Sequence, residues 1–157
     1  LLRKQENVAP LREELSFMDD YMGIEMVRFG EKLRYEKDVD AAVLGMLVPT
    51  MLLQPLVENS IKHGLGSKVE GGRIRIEGRA KGNKRLLLVV EDDGVGIEEE
   101  RLEQLFEQQG IGISNVNERL KVLYGNNFRF SVVSRPGEGT RSEIEIPQVT
   151  GGLAAVS

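Results

Sequence analysis

Apolar residues recur with the spacing of a helix along the first part of the chain. The intervals are four, three, four, four, three and four residues, at Leu11, Leu15, Met18, Met22, Met26, Phe29 and Leu33. Such spacing is close to the heptad repeat of helices that pack on other helices. We therefore expect one helix over 11–33. It packs either within its own domain or, as we favour, as a fragment of a larger helical bundle.

Later segments show the shorter periods of strands. Arg73 to Gly78 alternates polar and apolar residues, whereas Leu86 to Val90 is continuously apolar and suits a central strand. Gly82 and Asn83 between them predict a hairpin turn. The other predicted elements are helices over 49–64, 98–108 and 112–124 and strands over 34–39, 128–134 and 140–146. This order predicts an α/β two-layer sandwich, a mixed sheet with helices on one face.

Composition narrows the possible functions. The 157 residues carry a net charge of -4, no cysteine and one histidine. One domain is expected at this length. Disulfide scaffolds, thiolate metal sites and multi-histidine zinc sites are excluded, and the acidic balance argues against a nucleic-acid partner. The longest apolar region, 43–57, contains two prolines and is shorter than the ~20 residues that span a bilayer. The chain starts with Leu1, and we expect it to be a piece of a longer protein.

The predicted helix over 49–64 has a polar and an apolar side. Pro49 suits its first turn and Gly64 its C-terminal cap. The polar side carries a carboxylate, an amide, an ammonium and an imidazole, from Glu58, Asn59, Lys62 and His63. Together they could coordinate a hard cation through oxygen and counter phosphate charge. The alternative is a solvated helix face with a Glu58–Lys62 ion pair.

Three glycine-containing segments follow. After the apolar strand, Asp92 could accept a hydrogen bond from an exocyclic amine, while nearby glycines would let the backbone approach a flat ring; an Asp-Gly turn is the alternative. The segment 110–115 opens a helix with glycines and could offer N–H groups to an anion, or serve as a hinge and cap. The segment 137–140 alone suggests an ordinary glycine turn.

Taken in order, these four segments resemble the N box and the three glycine boxes of the GHKL ATPases, the superfamily of gyrase, Hsp90, MutL and histidine kinases. The run 52–64 (LLQPLVENSIKHG) looks like the N box of LytS-type sensor histidine kinases. The runs 21–30 (YMGIEMVRFG) and 110–120 (GIGISNVNERL) are also similar to that branch. The resemblance covers about residues 8–147 and implies the Bergerat fold, with a mixed, mostly antiparallel sheet and helices on one face.

The resemblance also implies roles for individual residues. Glu58 would orient or deprotonate the attacking group, Lys62 would act beside it, and Asn59 would hold Mg²⁺. Asp92 would read the adenine amine of ATP. The full set of nucleotide-binding positions is Asn59, Lys62, His63, Asp92, Gly94, Gly96, Ile97, Gly110, Gly112, Ile113, Asn115 and Thr140. Pro55 and Asp93 stand where many histidine kinases carry asparagine, and the short segment after Ile97 implies a small ATP lid.

The same resemblance divides the chain into a remnant of the dimerisation bundle (1–33), the ATP-binding catalytic domain (34–148) and a disordered tail (149–157). The phosphoacceptor histidine would lie upstream, so we expect the chain to bind Mg-ATP without phosphorylating itself. Its partners would be ATP, that histidine and a response regulator. The domain would be cytoplasmic and its parent a membrane-bound homodimer. Alternatives are a conformational ATPase, an anti-sigma-type serine kinase and a non-catalytic nucleotide sensor.

Overall fold

The computed structural model describes residues 8–65, 71–82, 84–108 and 112–148. In those ranges the helices are α1 (Leu11–Phe29), α2 (Gln54–Asn59), α3 (Glu99–Glu107) and α4 (Gly112–Tyr124). The strands are β1 (Val8–Pro10), β2 (Leu33–Val39), β3 (Leu47–Pro49), β4 (Gly72–Lys81), β5 (Arg85–Asp92), β6 (Arg129–Ser134) and β7 (Thr140–Pro147). A π-helical turn, Ser60–Leu65, continues α2 without a break.

The strands form one large and one small sheet. The large sheet has five strands in the order β2-β4-β5-β7-β6, and the small sheet pairs β1 with β3. Only β2 and β4 run parallel within the large sheet; its other neighbours are antiparallel. The continuously apolar β5 lies in the middle, as predicted, and the β4–β5 ladder closes at the pair Lys81 and Arg85. The predicted α/β fold with a mixed, mostly antiparallel sheet is confirmed.

The core lies between the helices and one face of the large sheet. That face supplies Ile74, Ile76, Leu86, Leu88, Val90, Ile144 and Ile146, each at most 2% exposed. Helix α1 belongs to the same core, to which it contributes Leu11, Leu15, Met18 and Met22. The other face carries ion pairs, among them Arg79 with Asp38 at 2.7 Å and Arg85 with Glu145 at 2.7 Å. The sheet therefore has one apolar and one charged face.

Helix α1 is shorter than its periodicity predicts. It ends at Phe29 because Gly30 takes a positive φ of 69° and its N–H closes the helix on the carbonyl of Met26. Leu33 instead starts β2 and is 5% exposed. Phe17 and Ile24 of α1 lie largely outside the core, since they are 57% and 69% exposed. The assignment of 1–33 to a bundle stays a prediction, and the predicted tail lies outside the described residues.

The predicted helix over 49–64 is wrong at its start. Pro49 is the last residue of β3, and α2 begins five residues later, with Pro55 in its first turn. Proline fits both places, because its fixed φ suits a strand end and its missing N–H is harmless in a first helical turn. Among the described helices, none has both the length and the apolar character needed to cross a membrane.

Candidate functional site

A pocket lies between the helical layer and the sheet, where α2 and its π-helical turn face the ends of β5 and β7. It is narrow in the free chain, with a cavity volume of about 10 Å³. Its lining combines apolar and polar side chains: Leu56, Asn59, Ser60, His63, Asp92, Ile97, Ile113, Thr140 and Ser142. Segments predicted separately to carry chemistry thus meet at one place, although Asn59 and Thr140 lie 81 positions apart along the chain.

The acidic residue of this pocket is Asp92, whose carboxylate is held in place by hydrogen bonds. It is the last residue of β5 and is only 4% exposed. Its Oδ2 accepts a hydrogen bond from Ser60 Oγ at 2.6 Å and its Oδ1 one from the Gly94 N–H at 2.8 Å. Burial raises the pKa of Asp92, and the hydrogen bonds from Ser60, Gly94 and the Thr140 backbone oppose that rise. The carboxylate is therefore held in one orientation beside the pocket.

Two glycines allow close backbone contacts next to the pocket, one with Asp92 and one with Arg135. Gly139 has a φ of 80°, and a Cβ there would lie 2.1 Å from the Asp92 carbonyl oxygen. Gly96 has a φ of 78°, and a Cβ there would lie 1.9 Å from the Arg135 carbonyl oxygen. Both a left-handed conformation and a backbone contact therefore require glycine at these two positions.

Ser134 ties the surrounding loops together. Its Oγ accepts a hydrogen bond from the Ile97 N–H at 2.7 Å and donates to the Gly139 carbonyl at 2.9 Å. The same oxygen lies 2.7 Å from Thr140 Oγ1. This hydroxyl therefore links the loop after β5 to the turn between β6 and β7, and so fixes two predicted pocket residues, Ile97 and Thr140.

Asn59 lies on the helical wall of the pocket. Its Nδ2 is buried and has no hydrogen-bond partner among the described residues. A buried polar atom without a partner is costly, and a half-turn of the amide would present Oδ1 to the same space instead. A Cβ added to Gly112, the first residue of α4, would lie 3.7 Å from this nitrogen. The amide is therefore available to a ligand in the pocket.

The donor set at Asn59 fits Mg²⁺ bound together with phosphates. In the described part of the chain, no group of three or more histidine, cysteine or acidic side chains could hold a metal. Mg²⁺ typically keeps several waters and is held by substrate phosphates and one or two protein side chains, usually carboxylates; here the amide oxygen of Asn59 would take the place of such a side chain. An all-protein metal cage is not needed for this chemistry.

Three basic residues lie on or next to the segments that line the pocket. Lys62 and His63 are exposed residues of the π-helical turn. Arg101 of α3 lines a second opening together with His63, Gly96 and other residues. Burial lowers the pKa of His63, and the positive charges of Lys62 and Arg101 lower it further. His63 is therefore biased towards its neutral form in the free chain.

The remaining predicted site residues are more exposed or lie elsewhere. Glu58 is exposed, and its Oε2 accepts a hydrogen bond from Gln54 Nε2 at 2.8 Å. Asn115 is exposed on the first turn of α4, three residues after Gly112. Gly110 lies outside the described residues. Roles for these side chains stay predictions.

Sequence reasoning missed several residues that build the site. Ser60, the hydrogen-bond donor to Asp92, directly follows Asn59, so its position beside the motif was an available signal. Arg101 lies in a helix that its polar composition made uninformative, and Ser134 falls in a strand without a motif. For those two, only the folded chain brings the side chain next to residues that line the pocket.

Comparison with known proteins bears on the same region. The sequence model of the family described as histidine kinase-, DNA gyrase B-, and HSP90-like ATPase matches residues 48–150. The sensor histidine kinase YesM of Bacillus subtilis (strain 168) is 32% identical over 146 residues, which are 93% of this chain and 25% of that protein. The sensor protein LytS of Enterococcus faecalis is 34% identical over 149 residues, 90% of this chain and 25% of that protein. The predicted likeness to LytS-type sensors is confirmed.

A solved structure agrees with the fold. The histidine kinase domain of the Erythrobacter litoralis EL346 blue-light activated histidine kinase superposes with a TM-score of 0.69 at 20% sequence identity. The alignment covers 94% of this chain and 64% of that chain. At this identity the likeness concerns the fold. The present chain spans only 25% of the length of the two sensor kinases above.

Proposed function

The chain belongs to the family of histidine kinase-, DNA gyrase B-, and HSP90-like ATPases, and from that membership we propose that it is the ATP-binding catalytic domain of a sensor histidine kinase. It binds Mg-ATP and transfers the γ-phosphoryl group to a histidine outside this chain. A response regulator that receives the phosphoryl group, and a membrane-bound homodimeric parent, belong to the same proposal.

The anchored carboxylate of Asp92 is the observation that carries this proposal. It is buried, it is held by hydrogen bonds from Ser60 and Gly94, and it lines a pocket with apolar neighbours such as Leu56 and Ile113. An adenine ring needs apolar surface on its faces and an acceptor for its exocyclic amine. A carboxylate whose orientation is already fixed can accept that amine hydrogen without first losing conformational freedom.

The opposite end of the pocket suits the phosphates. His63 and Asn59 line the pocket on this helical side, and Lys62 precedes His63 on the same exposed turn, from which we propose that it reaches the phosphates. When Mg²⁺ is bound with ATP, its positive charge would neutralise the negative charge that develops on the transferred phosphoryl group. Glu58, exposed on the same helical segment, is placed in our proposal as the group that orients the attacking imidazole or holds its proton.

The chain by itself is proposed not to form phosphohistidine. Its one histidine is His63, which lines the same pocket as Asn59. Phosphoryl transfer needs donor, phosphorus and acceptor close to one line. An imidazole that faces the phosphates from the nucleotide-binding wall is poorly oriented for that geometry. The acceptor histidine must therefore come from another segment.

Two measurements on the purified chain test this function. Calorimetric titration with ATP in the presence of Mg²⁺ should show binding at a single site. Incubation with γ-labelled ATP should leave no acid-labile label on the chain alone, but should label an added segment of the parent protein that carries the upstream histidine. Binding without transfer to that segment would favour a non-catalytic nucleotide sensor. Label retained on His63, or no ATP binding, would contradict the proposal.

A further inference from the structure

A buried carboxylate from α1 holds the turn that leads into α2. Glu14 is 4% exposed. Its Oε1 accepts a hydrogen bond from the Met51 N–H at 2.9 Å, and its Oε2 accepts one from the Leu53 N–H at 2.9 Å. One side chain thus takes up two backbone donors that lie 37 and 39 residues further along the chain.

The turn depends on help from outside itself. The first N–H groups of a helix have no partner within the helix, and Leu53, which caps α2, provides no side-chain cap. Met51 takes a positive φ of 60°, a conformation that a residue with a Cβ keeps only where its surroundings hold it. The negative charge of Glu14 also lies at the positive end of α2. Glu14 therefore binds the N–H of the cap residue Leu53, one of the donors at the start of this helix, together with the N–H of Met51 in the preceding turn.

A cation from α4 holds the same turn from its carbonyl side. Arg119 donates hydrogen bonds to the Thr50 carbonyl at 2.6 Å and to the Met51 carbonyl at 3.2 Å. Helix α4 also supplies Ile113 to the pocket and begins beside Asn59. The turn is therefore fixed between two helices, with its amides bound to α1 and its carbonyls to α4.

The charge of α2 also acts on α1 further along. The pKa of Tyr21 on α1 is raised mainly by burial, and the charges of Glu25 and Glu58 raise it further. Glu58 belongs to α2, directly before Asn59. The two helices therefore influence each other at the start of α2 and again near its end.

We propose that Glu14 is a positioning residue for the nucleotide site, because its carboxylate sets the start, and with it the orientation, of the helix that carries Glu58 and Asn59. This inference rests on the proposed function, since it assumes that ATP occupies the pocket. A movement of α1 would shift the start of α2 through this side chain, and with it the positions of Glu58 and Asn59. Asp92, which lies on β5, would be little affected.

Glu14→Gln is the informative substitution. Glutamine keeps one acceptor oxygen but turns an amino group towards the second backbone N–H, and it removes the charge at the start of α2. We expect Mg-ATP binding to weaken by about tenfold, the size of a lost hydrogen bond to a charged group. Glu13→Gln, at an exposed neighbouring position of α1, is the matched control and should bind as the wild type does.

The magnesium dependence of binding separates positioning from a loss of stability. ATP affinity is measured by calorimetry with and without Mg²⁺, at a temperature at which circular dichroism shows each variant folded. If Glu14 orients Asn59, the gain in affinity that Mg²⁺ gives the wild type should shrink in Glu14→Gln. A variant that is merely less stable would keep that gain.

Each result decides the matter. A folded Glu14→Gln with wild-type Mg-ATP affinity and wild-type magnesium dependence overturns the inference while the proposed function stands. If Glu14→Gln does not fold, Arg119→Lys loosens the other side of the turn: weaker Mg-ATP binding supports the inference, and unchanged binding overturns it. A wild-type chain that does not bind ATP overturns both this inference and the proposed function.

Discussion

The two ends of the pocket differ in how completely their polar groups are bonded. At the sheet end, Asp92 terminates the central strand, and both of its carboxylate oxygens accept hydrogen bonds within the protein. At the helical end, Asn59 has a buried nitrogen without a partner among the described residues, and Lys62 and His63 are exposed on a π-helical turn. Among the described residues, the buried polar groups at the sheet end are therefore hydrogen-bonded within the protein, whereas the Asn59 amide nitrogen at the helical end is not.

This difference matches the two halves of the proposed ligand. A flat base is recognised by fixed groups, whose orientation costs nothing further when it binds. Phosphates bring acceptor oxygens, and a metal ion brings positive charge and bound water, so the wall that faces them can leave polar groups to be bonded by the ligand. The sheet end should therefore be sensitive to any change of backbone or charge. Substitutions at the helical end should lower the affinity for ATP, while the free energy of unfolding of the chain stays the same or increases.

The largest effect should come from the backbone contact under the sheet end. In Gly139→Ala the new Cβ would meet the Asp92 carbonyl at 2.1 Å in a residue with a φ of 80°. We expect a loss of about 3 kcal/mol in the free energy of unfolding, from the left-handed conformation and the overlap together. Urea unfolding followed by circular dichroism measures it.

Gly137→Ala is the matched control for that substitution. Gly137 has a φ of 82°, but a Cβ there would have nothing within 4 Å. It should cost only the conformational share, about 1 kcal/mol. Equal losses for the two alanine variants would show that the contact with the Asp92 backbone is not important.

Asp92→Asn should cause the largest loss of ATP affinity, about a hundredfold. The substitution removes the charged group that accepts a hydrogen bond from the exocyclic amine of adenine in our proposal. The fold should survive, since asparagine can keep the Gly94 hydrogen bond through its oxygen and donate to Ser60 Oγ through its amino group. Calorimetry measures the affinity. Glu91→Gln, on the neighbouring position that faces the ion-paired side of the sheet, should bind ATP normally; equal losses would refute the pocket assignment.

The pH dependence of stability checks the same carboxylate. The folded chain raises the pKa of Asp92, mainly by burial, so the folded state holds this proton more tightly than the unfolded state does. Its contribution to stability is fully present below the ordinary pKa of an aspartate and is lost as the pH rises through the raised value. Asp92→Asn should lack this decrease in urea unfolding curves recorded across that range. An identical pH dependence of stability in the wild type and in Asp92→Asn would contradict the raised pKa of Asp92.

Asn59→Ala should separate affinity from stability at the helical end. Removal of a buried polar atom without a partner should raise the free energy of unfolding by about 1 kcal/mol, whereas Mg-ATP binding should weaken by about tenfold. Urea unfolding and calorimetry on the same preparation measure both quantities. A loss of stability would mean that the amide is already satisfied in the free chain.

The smallest expected effect is on the ionisation of His63. As the one histidine of the chain, it gives an isolated imidazole signal in a proton NMR titration. Burial and the charges of Lys62 and Arg101 should hold its pKa below the ordinary value in the free chain. Bound nucleotide should raise that pKa if the phosphates lie nearby, because their negative charge favours the protonated imidazole. An unchanged titration curve on ADP binding would remove His63 from the phosphate end.

The sign for stability is opposite to that of Asp92. Because the pKa of His63 is lowered on folding, the folded chain binds this proton less tightly than the unfolded chain. Stability should therefore fall as the pH decreases through the ordinary histidine range. His63→Gln should weaken that dependence in acid unfolding followed by circular dichroism, and an unaltered dependence would contradict the assigned cause.

Local patterns predicted most of the sheet and much of the pocket. The alternation in β4, the apolar run of β5 and the intervening turn all give the hairpin, because neighbouring strands in an antiparallel pair are specified by short segments of sequence. The motifs around Asn59 and Asp92 pointed to residues that do line one pocket. The start of α2 was mispredicted, because Pro49 suits both a strand end and a first helical turn.

Glu14 shows where local reading fails. Counted from Leu11 and Leu15, it lies on the apolar side of α1, so the periodicity contained a sign of its burial. Acidic residues are nevertheless common in the exposed first turn of a helix, so the sequence alone does not distinguish a buried Glu14 from an exposed one. Its partners, Met51 and Leu53, lie in an apolar segment with no polar motif to pair with a carboxylate.

The sequence by itself determined which segments form the sheet, which carry the candidate chemistry and which family the chain resembles, since these depend on residue type and on spacing within short windows. Only the tertiary structure decided that Ser60 meets Asp92, that β2 runs parallel to β4, and that Glu14 and Arg119 hold the start of α2. Those contacts join residues tens of positions apart. Burial makes them specific, because backbone donors and acceptors removed from water must find partners wherever the folded chain brings them.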